Sequence, residues 1–594
     1  MSLSPDELIN AAVSRSLISA EQVESLRLKA MRQRRPLVEV ASHHARCPIV
    51  MLYCALAEQR GIPFIDLSTV TLDMNLVKRI PDALLKTRMV LPVADEGDEV
   101  LVATADPDDR GGLQNIARIL GRPLRVALTD PDSLRETVKH VLAGQTAVHA
   151  AEDEDPVPIC NRIFEQAYLR RASDIHLEAV PDGLRVRFRI DGRLQNYPTR
   201  IGQEMASSVI SRMKVLSGLD IAEQRASQDG RFSFAAPGRD GATIDVRVAT
   251  IPTRFGERIT MRLLDSTATQ LELGKIGMSD ATLKRFRNMI QQPNGIVLMA
   301  GPTGSGKTST LYAALEELNE LHRNIVTVED PVEYVVPGLS QVPIDGSDKM
   351  TFAKALRSLL RHDPDVLMIG EIRDEETAEI ALHASMTGHF VFSTIHTNTA
   401  CGAVSRLVEM GCPAYMVGST LRGVISQRLV RRLCENCKRS REPYAGEVAW
   451  LGQPCAQLFE PVGCARCMGT GFRGRLGLFE TLWVDQSIRM LINENVSEAE
   501  LFDRAGSQLV TLRGDAALKV LDGITTIDEV MTVLDVDVED FAKLDAGPDA
   551  EALQQVQELR QEVYAALATG EVKTPTRSTN EAAPALSSVG QKMS

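Results

Sequence analysis

The stretch Ile296-Val297-Leu298-Met299-Ala300-Gly301-Pro302-Thr303-Gly304-Ser305-Gly306-Lys307-Thr308 is an apolar run that passes into a glycine-rich loop. After it Leu311, Leu315 and Leu318 recur at helical spacing, so the order is strand, loop, helix. That context makes the pattern of Gly, four residues, then Gly-Lys-Thr a phosphate-binding loop. Glycines let backbone N–H groups turn inward around a β-phosphate, and the helix N-terminus adds its dipole. Lys307 reaches the β/γ oxygens and the Thr308 hydroxyl is a magnesium ligand. The candidate ATP contacts are therefore Gly301, Pro302, Thr303, Gly304, Ser305, Gly306, Lys307, Thr308 and Ser309.

From Asn294 onward strands and helices alternate in the manner of a parallel sheet. Asn324-Ile325-Val326-Thr327-Val328-Glu329-Asp330 and Asp365-Val366-Leu367-Met368-Ile369-Gly370-Glu371 are strands ending in carboxylates. Gly388-His389-Phe390-Val391-Phe392-Ser393-Thr394-Ile395-His396 is a third, ending in histidine. Ligands of open parallel sheets bind beyond the carboxyl ends of the strands, so these polar ends converge beside the phosphate loop. Phosphoryl transfer to water needs a cation, guanidiniums and a group that orients or deprotonates the nucleophile. Glu371 is the candidate water-orienting base, with Glu329 and Asp330 nearer the outer shell of the metal and His396 a candidate γ-phosphate sensor.

Before this region lie helices over residues 1–60, a small α/β domain at 61–145, and an acidic linker at 146–157 that contains Glu152-Asp153-Glu154-Asp155-Pro156. The unit at 158–265 contains Leu184-Arg185-Val186-Arg187-Phe188-Arg189-Ile190, where strict alternation sets three arginines on one strand face. A solvated sheet face accounts for them. Ile244-Asp245-Val246-Arg247-Val248 repeats the pattern. After Gly477 a helical region runs to about Val538, followed by a further helix at Ala550 to Ala568 and a tail too poor in apolar residues to pack.

Cys434-x-x-Cys437 and Cys464-x-x-Cys467 stand apart from the other six of the ten cysteines. Two such knuckles surround one zinc ion with four thiolates and make a closed, structural site, although the 26 residues between the pairs exceed the usual run of about 15 to 20. No thioredoxin-like unit surrounds either pair, which argues against redox work.

Composition sets limits on the rest. With 66 Lys plus Arg against 79 Asp plus Glu, the formal charge of −13 and the 4% aromatic content argue against a nucleic-acid motor with a basic path and stacking platforms. The acidic N-terminus lacks a signal pattern and no apolar run approaches a membrane span of about 18 residues, so the protein is expected in the cytoplasm. Intact Lys307, Thr308 and Glu371 argue against a non-enzymatic scaffold.

These residues together resemble the secretion ATPase superfamily, specifically the type II secretion ATPases and the related assembly ATPases of type IV pili. Gly301 to Thr308, Val328-Glu329-Asp330-Pro331-Val332-Glu333, Gly370-Glu371-Ile372-Arg373-Asp374 and Thr394-Ile395-His396-Thr397-Asn398-Thr399 look like its Walker A, Asp, Walker B and His boxes. The resemblance implies a multidomain α/β protein: a helical docking region at 1–60, a PAS-like domain at 158–265 that clamps nucleotide, and a RecA-like motor at 266–540 with an inserted tetracysteine subdomain at 431–475. The tail follows at 541–594.

It also implies a homohexamer peripheral to the inner membrane. Such a hexamer works through a platform protein and the cytoplasmic domain of an inner-membrane secretion protein, and drives pseudopilus assembly with ATP. The stretches His396 to Leu407 and Ser426 to Cys434 favour type II secretion over pilus extension. By the same resemblance Arg231, Arg247, Arg357, Arg361, Arg373, Arg406 and Arg475 are phosphate-directed guanidiniums, suited by their planar fork. Residues 10–60 contain no Arg-Leu-Gly, the lead of the cyclic di-GMP pattern of some pilus relatives.

Overall fold

All six residues of Gly295–Ala300 are buried, as befits a strand covered by helices on both faces. In the computed structural model this strand lies inside a sheet that has eight strands among the described residues. Their order is Ser340–Pro343, Ile325–Glu329, Val366–Ile369, Phe390–Ile395, Gly295–Ala300, Leu421–Leu433, Phe472–Trp483 and Leu509–Val510. Pairing is parallel as far as Leu421–Leu433 and antiparallel beyond it. Helices Lys307–Leu318, Glu375–Met386 and Ala400–Glu409 pack on this sheet around cores that include Leu298, Val328, Ile369 and Val391 on one side and Val297, Leu315 and Phe392 on the other.

The structure describes residues 3–534 apart from 68–69, 71, 146–154, 198, 200, 239–241, 265–271, 345–349 and 454. The acidic linker for the most part, the helix at Ala550 to Ala568 and the tail lie outside the described residues.

Among the described residues the chain opens with helices Pro5–Ser14, Ala20–Gln33, Leu37–Ala45 and Ile49–Arg60. A three-stranded sheet of Val90–Asp95, Val100–Thr104 and Leu124–Leu128 follows. Next comes a sheet of antiparallel neighbours in the order Arg193–Asn196, Gly183–Ile190, Ala172–Val180, Gly256–Leu264, Thr243–Thr253 and Gln228–Ala235. Helices Pro156–Leu169 and Gln203–Leu216 share its core with Val186, Phe188 and Val246.

The arginine face of Gly183–Ile190 is more than a solvated surface. Arg185 and Arg187 pair with Glu178 at 2.8 and 2.5 Å, and Arg189 lies 3.5 Å from Asp174, both carboxylates being on the neighbouring strand. Burial pushes the Glu178 carboxyl up, but hydrogen bonds from Arg187 and Arg185 outweigh it and hold the group below the ordinary carboxylate range.

A second difference concerns Gly477. It lies within strand Phe472–Trp483, and helices begin only at Gln486. From Gly477 to Trp483 every residue is buried, so the two-residue alternation that marks a half-exposed strand is missing from the sequence.

Contacts divide the described residues into two compact units, Arg441–Leu458 forming the second and the remainder the first. In the second unit helix Ala445–Leu451 is held at its start by Glu447, which accepts the Tyr444 N–H at 2.8 Å and pairs with Arg441. No helix among the described residues is long and apolar enough to cross a membrane.

The segment leading to strand Gln228–Ala235 is anchored by a buried charge. Lys214 Nζ donates to Glu257 at 2.8 and 3.0 Å and to the Glu223 carbonyl at 2.6 Å. Glu257→Ala strands this ammonium in the core and should destabilise the protein by about 3–5 kcal/mol, whereas the double change Lys214→Met/Glu257→Leu should recover most of the loss. Urea unfolding followed by far-UV circular dichroism measures both, and equal stability of the single and double variants would remove the anchoring role.

Candidate nucleotide site and tetracysteine cluster

The loop between Ala300 and Lys307 bends at Gly301, Gly304 and Gly306, with φ of 135°, 80° and 89°. At two of these positions space as well as conformation demands glycine: a Cβ on Gly301 would lie 2.6 Å from the Gln427 carbonyl, and one on Gly306 would lie 2.8 Å from Gln427 Nε2. Lys307 opens the helix and folds its Nζ back onto the carbonyls of Gly301 and Pro302, at 2.8 and 2.9 Å. Burial pushes this ammonium below the ordinary lysine range, against the pull of Glu371. Ser305 is buried and its Oγ has no hydrogen-bond partner. A phosphate satisfies both groups, giving Ser305 an acceptor and Lys307 oxygens in place of its own loop carbonyls. Thr308 and Ser309 are half-buried on the first turn, while Pro302, Thr303 and Gly304 are exposed.

The three polar strand ends reach two different environments. Gly370 N–H donates to the Val328 carbonyl at 2.8 Å, Thr394 Oγ1 donates to the Gly370 carbonyl at 2.7 Å, and Ile372 N–H donates to the Thr394 carbonyl at 2.9 Å. This lacing sets Glu371 at the edge of the sheet, where its carboxylate pairs with Arg373 and meets His396 Nε2 at 3.2 Å. Glu371 is 13% exposed but its partners Arg373 and His396 are 65% and 50% exposed. Glu329 is buried instead, and accepts from Tyr312 Oη, from Thr327 Oγ1 at 2.6 Å and from Gln341 Nε2 at 3.1 Å. Lys307, Glu371, Arg373 and His396 thus gather, while Glu329 supports the sheet end behind them.

Arg231 and Arg247 lie directly opposite each other on neighbouring antiparallel strands. Arg247 crosses to the motor sheet, donating from Nη2 to the Val332 carbonyl at 3.0 Å and standing 3.4 Å from Glu333. Arg231 is exposed beside it. Arg357 pairs with Glu376 at 2.6 Å and Arg406 lies 3.5 Å from Glu409, both on helices, while Arg361 sits in the turn after helix Phe352–Leu359 and donates to the Arg357 carbonyl at 2.8 Å. Arg475 is exposed on strand Phe472–Trp483.

Sequence motifs do not point to the supporting polar groups. Gln427 Oε1 accepts Thr310 Oγ1 at 2.8 Å, and Arg428 donates to the Asn398 carbonyl at 3.1 Å, so strand Leu421–Leu433 braces both the phosphate-loop helix and the histidine-bearing segment. The strand that carries Gln427 and Arg428 also holds Arg422, Ser426, Arg431 and Arg432, so its composition does not single them out. Tyr312 and Gln341 carry no signal, because only the fold brings them to Glu329.

Cys434, Cys437, Cys464 and Cys467 come together with all four sulfurs within 4.8 Å of one another. Three Sγ–Sγ distances, 434–464, 437–467 and 464–467, are 3.8 Å. Sulfurs at the corners of a tetrahedron with a Zn–S bond of about 2.3 Å lie about 3.8 Å apart, so the donor set fits zinc. The N–H groups of Cys464 and Gly471 donate to Cys467 Sγ at 3.2 and 3.1 Å, as suits a thiolate. The separate cysteines differ: burial pushes the thiols of Cys160 and Cys412 up to about 11 and those of Cys47 and Cys401 up to about 12, which keeps them inert.

Residues 60–148 match the MshEN domain and residues 150–532 match the Type II/IV secretion system protein family. The chain is 46% identical over 386 residues to the Type II secretion system protein E of Klebsiella pneumoniae, across 64% of this chain and 77% of that one. It is 44% identical over 444 residues to the protein of that name in Pseudomonas aeruginosa, across 74% and 86%. It is 38% identical over 510 residues to the Type IV pilus assembly ATPase PilB of Myxococcus xanthus, across 80% and 89%. The family match spans well over half of the 594 residues, phosphate loop and tetracysteine cluster included, and the chain therefore belongs to the Type II/IV secretion system protein family as a secretion-system ATPase.

Proposed function

We propose that the protein hydrolyses ATP as a cytoplasmic homohexamer, peripheral on the inner membrane, and so drives pseudopilus assembly for type II protein secretion. The observation that carries this choice is the higher identity to the type II proteins, 46% and 44%, than to the pilus ATPase at 38%. Its partners are a membrane platform protein and the cytoplasmic domain of an inner-membrane secretion protein. Extension of a type IV pilus is the second reading, favoured by the longer alignment of 510 residues to the pilus ATPase.

In the reaction Lys307 Nζ exchanges its two loop carbonyls for the β/γ oxygens of ATP. Glu371 orients the attacking water and takes its proton, held in direction by Arg373 and His396. Arg247 and Arg231 bring guanidiniums from the neighbouring domain to the charge that grows on the transferred phosphoryl group. Magnesium, held on the protein side by the Thr308 hydroxyl, would supply positive charge to the phosphate oxygens. Zinc in the tetracysteine cluster is structural, because all four donors come from the protein and no position is left for substrate.

Lys307→Ala should abolish nucleotide binding, whereas Glu371→Gln should retain it and lose about 10²-fold or more in turnover. A phosphate-release assay with fluorescent-nucleotide titration separates them, and near-normal turnover of oligomeric Glu371→Gln protein would end its assignment as the base.

Cys464→Ser should lower zinc content and loosen residues 434–471 while the phosphate loop still binds nucleotide, because structural zinc contributes on the order of 10 kcal/mol. Metal analysis and hydrogen exchange test this; full zinc content in the variant would contradict it.

For Arg247, a role confined to Val332 and Glu333 predicts a lowered thermal midpoint with turnover intact. The proposed catalytic role predicts a turnover loss of about 10²- to 10³-fold at unchanged folding, and weak rescue by lysine, which keeps the charge but loses the fork. ATPase rate and melting curve of Arg247→Ala and Arg247→Lys decide between them.

A further inference from the structure

Three parts of the chain meet around a small cavity away from the phosphate loop. From the N-terminal helices, Glu58 accepts the Ala465 N–H of the cysteine cluster at 2.7 Å. From the preceding domain, Asp191 accepts the Gly474 N–H at 2.8 Å. The cavity between them has about 40 Å³ open to the centre of a water molecule, room for about three waters or one phosphate group. Its wall includes Arg46, Arg170, Arg171, Arg466, Arg473 and Asp191.

The charge in that wall is unbalanced. Among the described residues Arg170, Arg171, Arg466 and Arg473 form no ion pair, and the Nε atoms of Arg170 and Arg466 are buried without a hydrogen-bond partner. The carboxylate present, Asp191, is already engaged by the backbone. Zinc on four thiolates would carry two negative charges and Asp191 adds one, which offsets three of the four guanidiniums, so the cavity stays positive even before Arg46 is counted. Arg171 is exposed at the rim of this wall, yet the protein around it, together with Arg473 and Arg46, pushes its guanidinium down to about 10.

Arg46 and Arg170 stack over the rings of Tyr168 and Tyr197, but packing gives no reason for Arg171, Arg466 and Arg473 to join them, since like charges repel and buried donors without acceptors cost stability. Planar guanidinium forks converging on a space of this size match the oxygens of one phosphate. We propose that this cavity binds a phosphate group, free or at the end of a soluble phosphomonoester, and that the bound anion ties the N-terminal helices and the 158–264 domain to the tetracysteine cluster.

The test uses the full-length, zinc-loaded protein carrying Lys307→Ala, so that the phosphate loop does not report. Its thermal midpoint is measured in inorganic phosphate, in AMP and in chloride at equal ionic strength. Phosphate should raise the midpoint by about 2 °C or more over chloride, as a ligand specific to the folded state does. An equal rise with AMP assigns the site to phosphomonoesters, and a rise with phosphate alone assigns it to the free anion. Adding Arg171→Gln and Arg473→Gln should erase the response and, in chloride, should not lower the midpoint, because repulsion is relieved. Should that variant fail to fold, Arg466→Gln alone should at least halve the response. No rise beyond chloride, or an undiminished rise in the folded arginine variants, overturns the proposal.

Discussion

A parallel strand that feeds directly into a helix must leave the loop between them at the carboxyl edge of its sheet, with the helix N-terminus facing outward. The buried strand Gly295–Ala300 meets this constraint between two parallel neighbours, and the rest of the site is arranged about the edge it defines. Hydrogen bonds from Gly370, Ile372 and Thr394 knit adjacent strand ends together there. Because those bonds are backbone-anchored, Glu371 is carried by the sheet itself and needs no mobile loop to bring it near Lys307.

The two conspicuous glutamates divide their work by environment. Glu329 is buried with three side-chain donors on its carboxylate, and taking up water or a proton there would forfeit bonds that cannot be replaced. Glu371 has partners that are themselves half-exposed or more, so solvent can replace them, as the role proposed for this carboxylate requires. A surface ion pair of this kind is worth little, commonly under about 1 kcal/mol, which suits a group that must change partners.

Charge also links the domains. Arg247 reaches from the 158–264 sheet to Val332 and Glu333 at the end of the Asp box, and Arg193 reaches Glu529 at 2.6 Å, where Arg431 of the motor sheet converges on the same buried carboxylate. Arginine suits such contacts because its long stem crosses a boundary while its fork keeps several bonds. Glu529, which receives the forks of Arg193 and Arg431, is held below the ordinary carboxylate range because the bound guanidiniums outweigh the cost of burial, as they do for Glu178 within its own sheet.

Local chemistry made much of this protein legible from sequence. A glycine loop between a strand and a helix, two cysteine pairs, and strands ending in carboxylate or histidine are short-range patterns whose chemistry each residue type dictates, and the family match agrees with them. Alternation likewise set Arg247 on a polar strand face. What alternation could not show was the partner of that face: whether water, Glu178 or Val332 meets an arginine depends on which strand or domain lies opposite, a long-range fact. The same limit hid the strand through Gly477, whose two buried faces leave no period to read. It hid the donors Tyr312 and Gln341 and the acceptor Gln427, and it hid the cavity of arginines drawn from residues as far apart as 46 and 473. Sequence by itself determined which groups can do chemistry, because that is a property of each side chain. Tertiary structure alone decided which of them meet, because contact between distant residues is set by packing and charge across the whole fold.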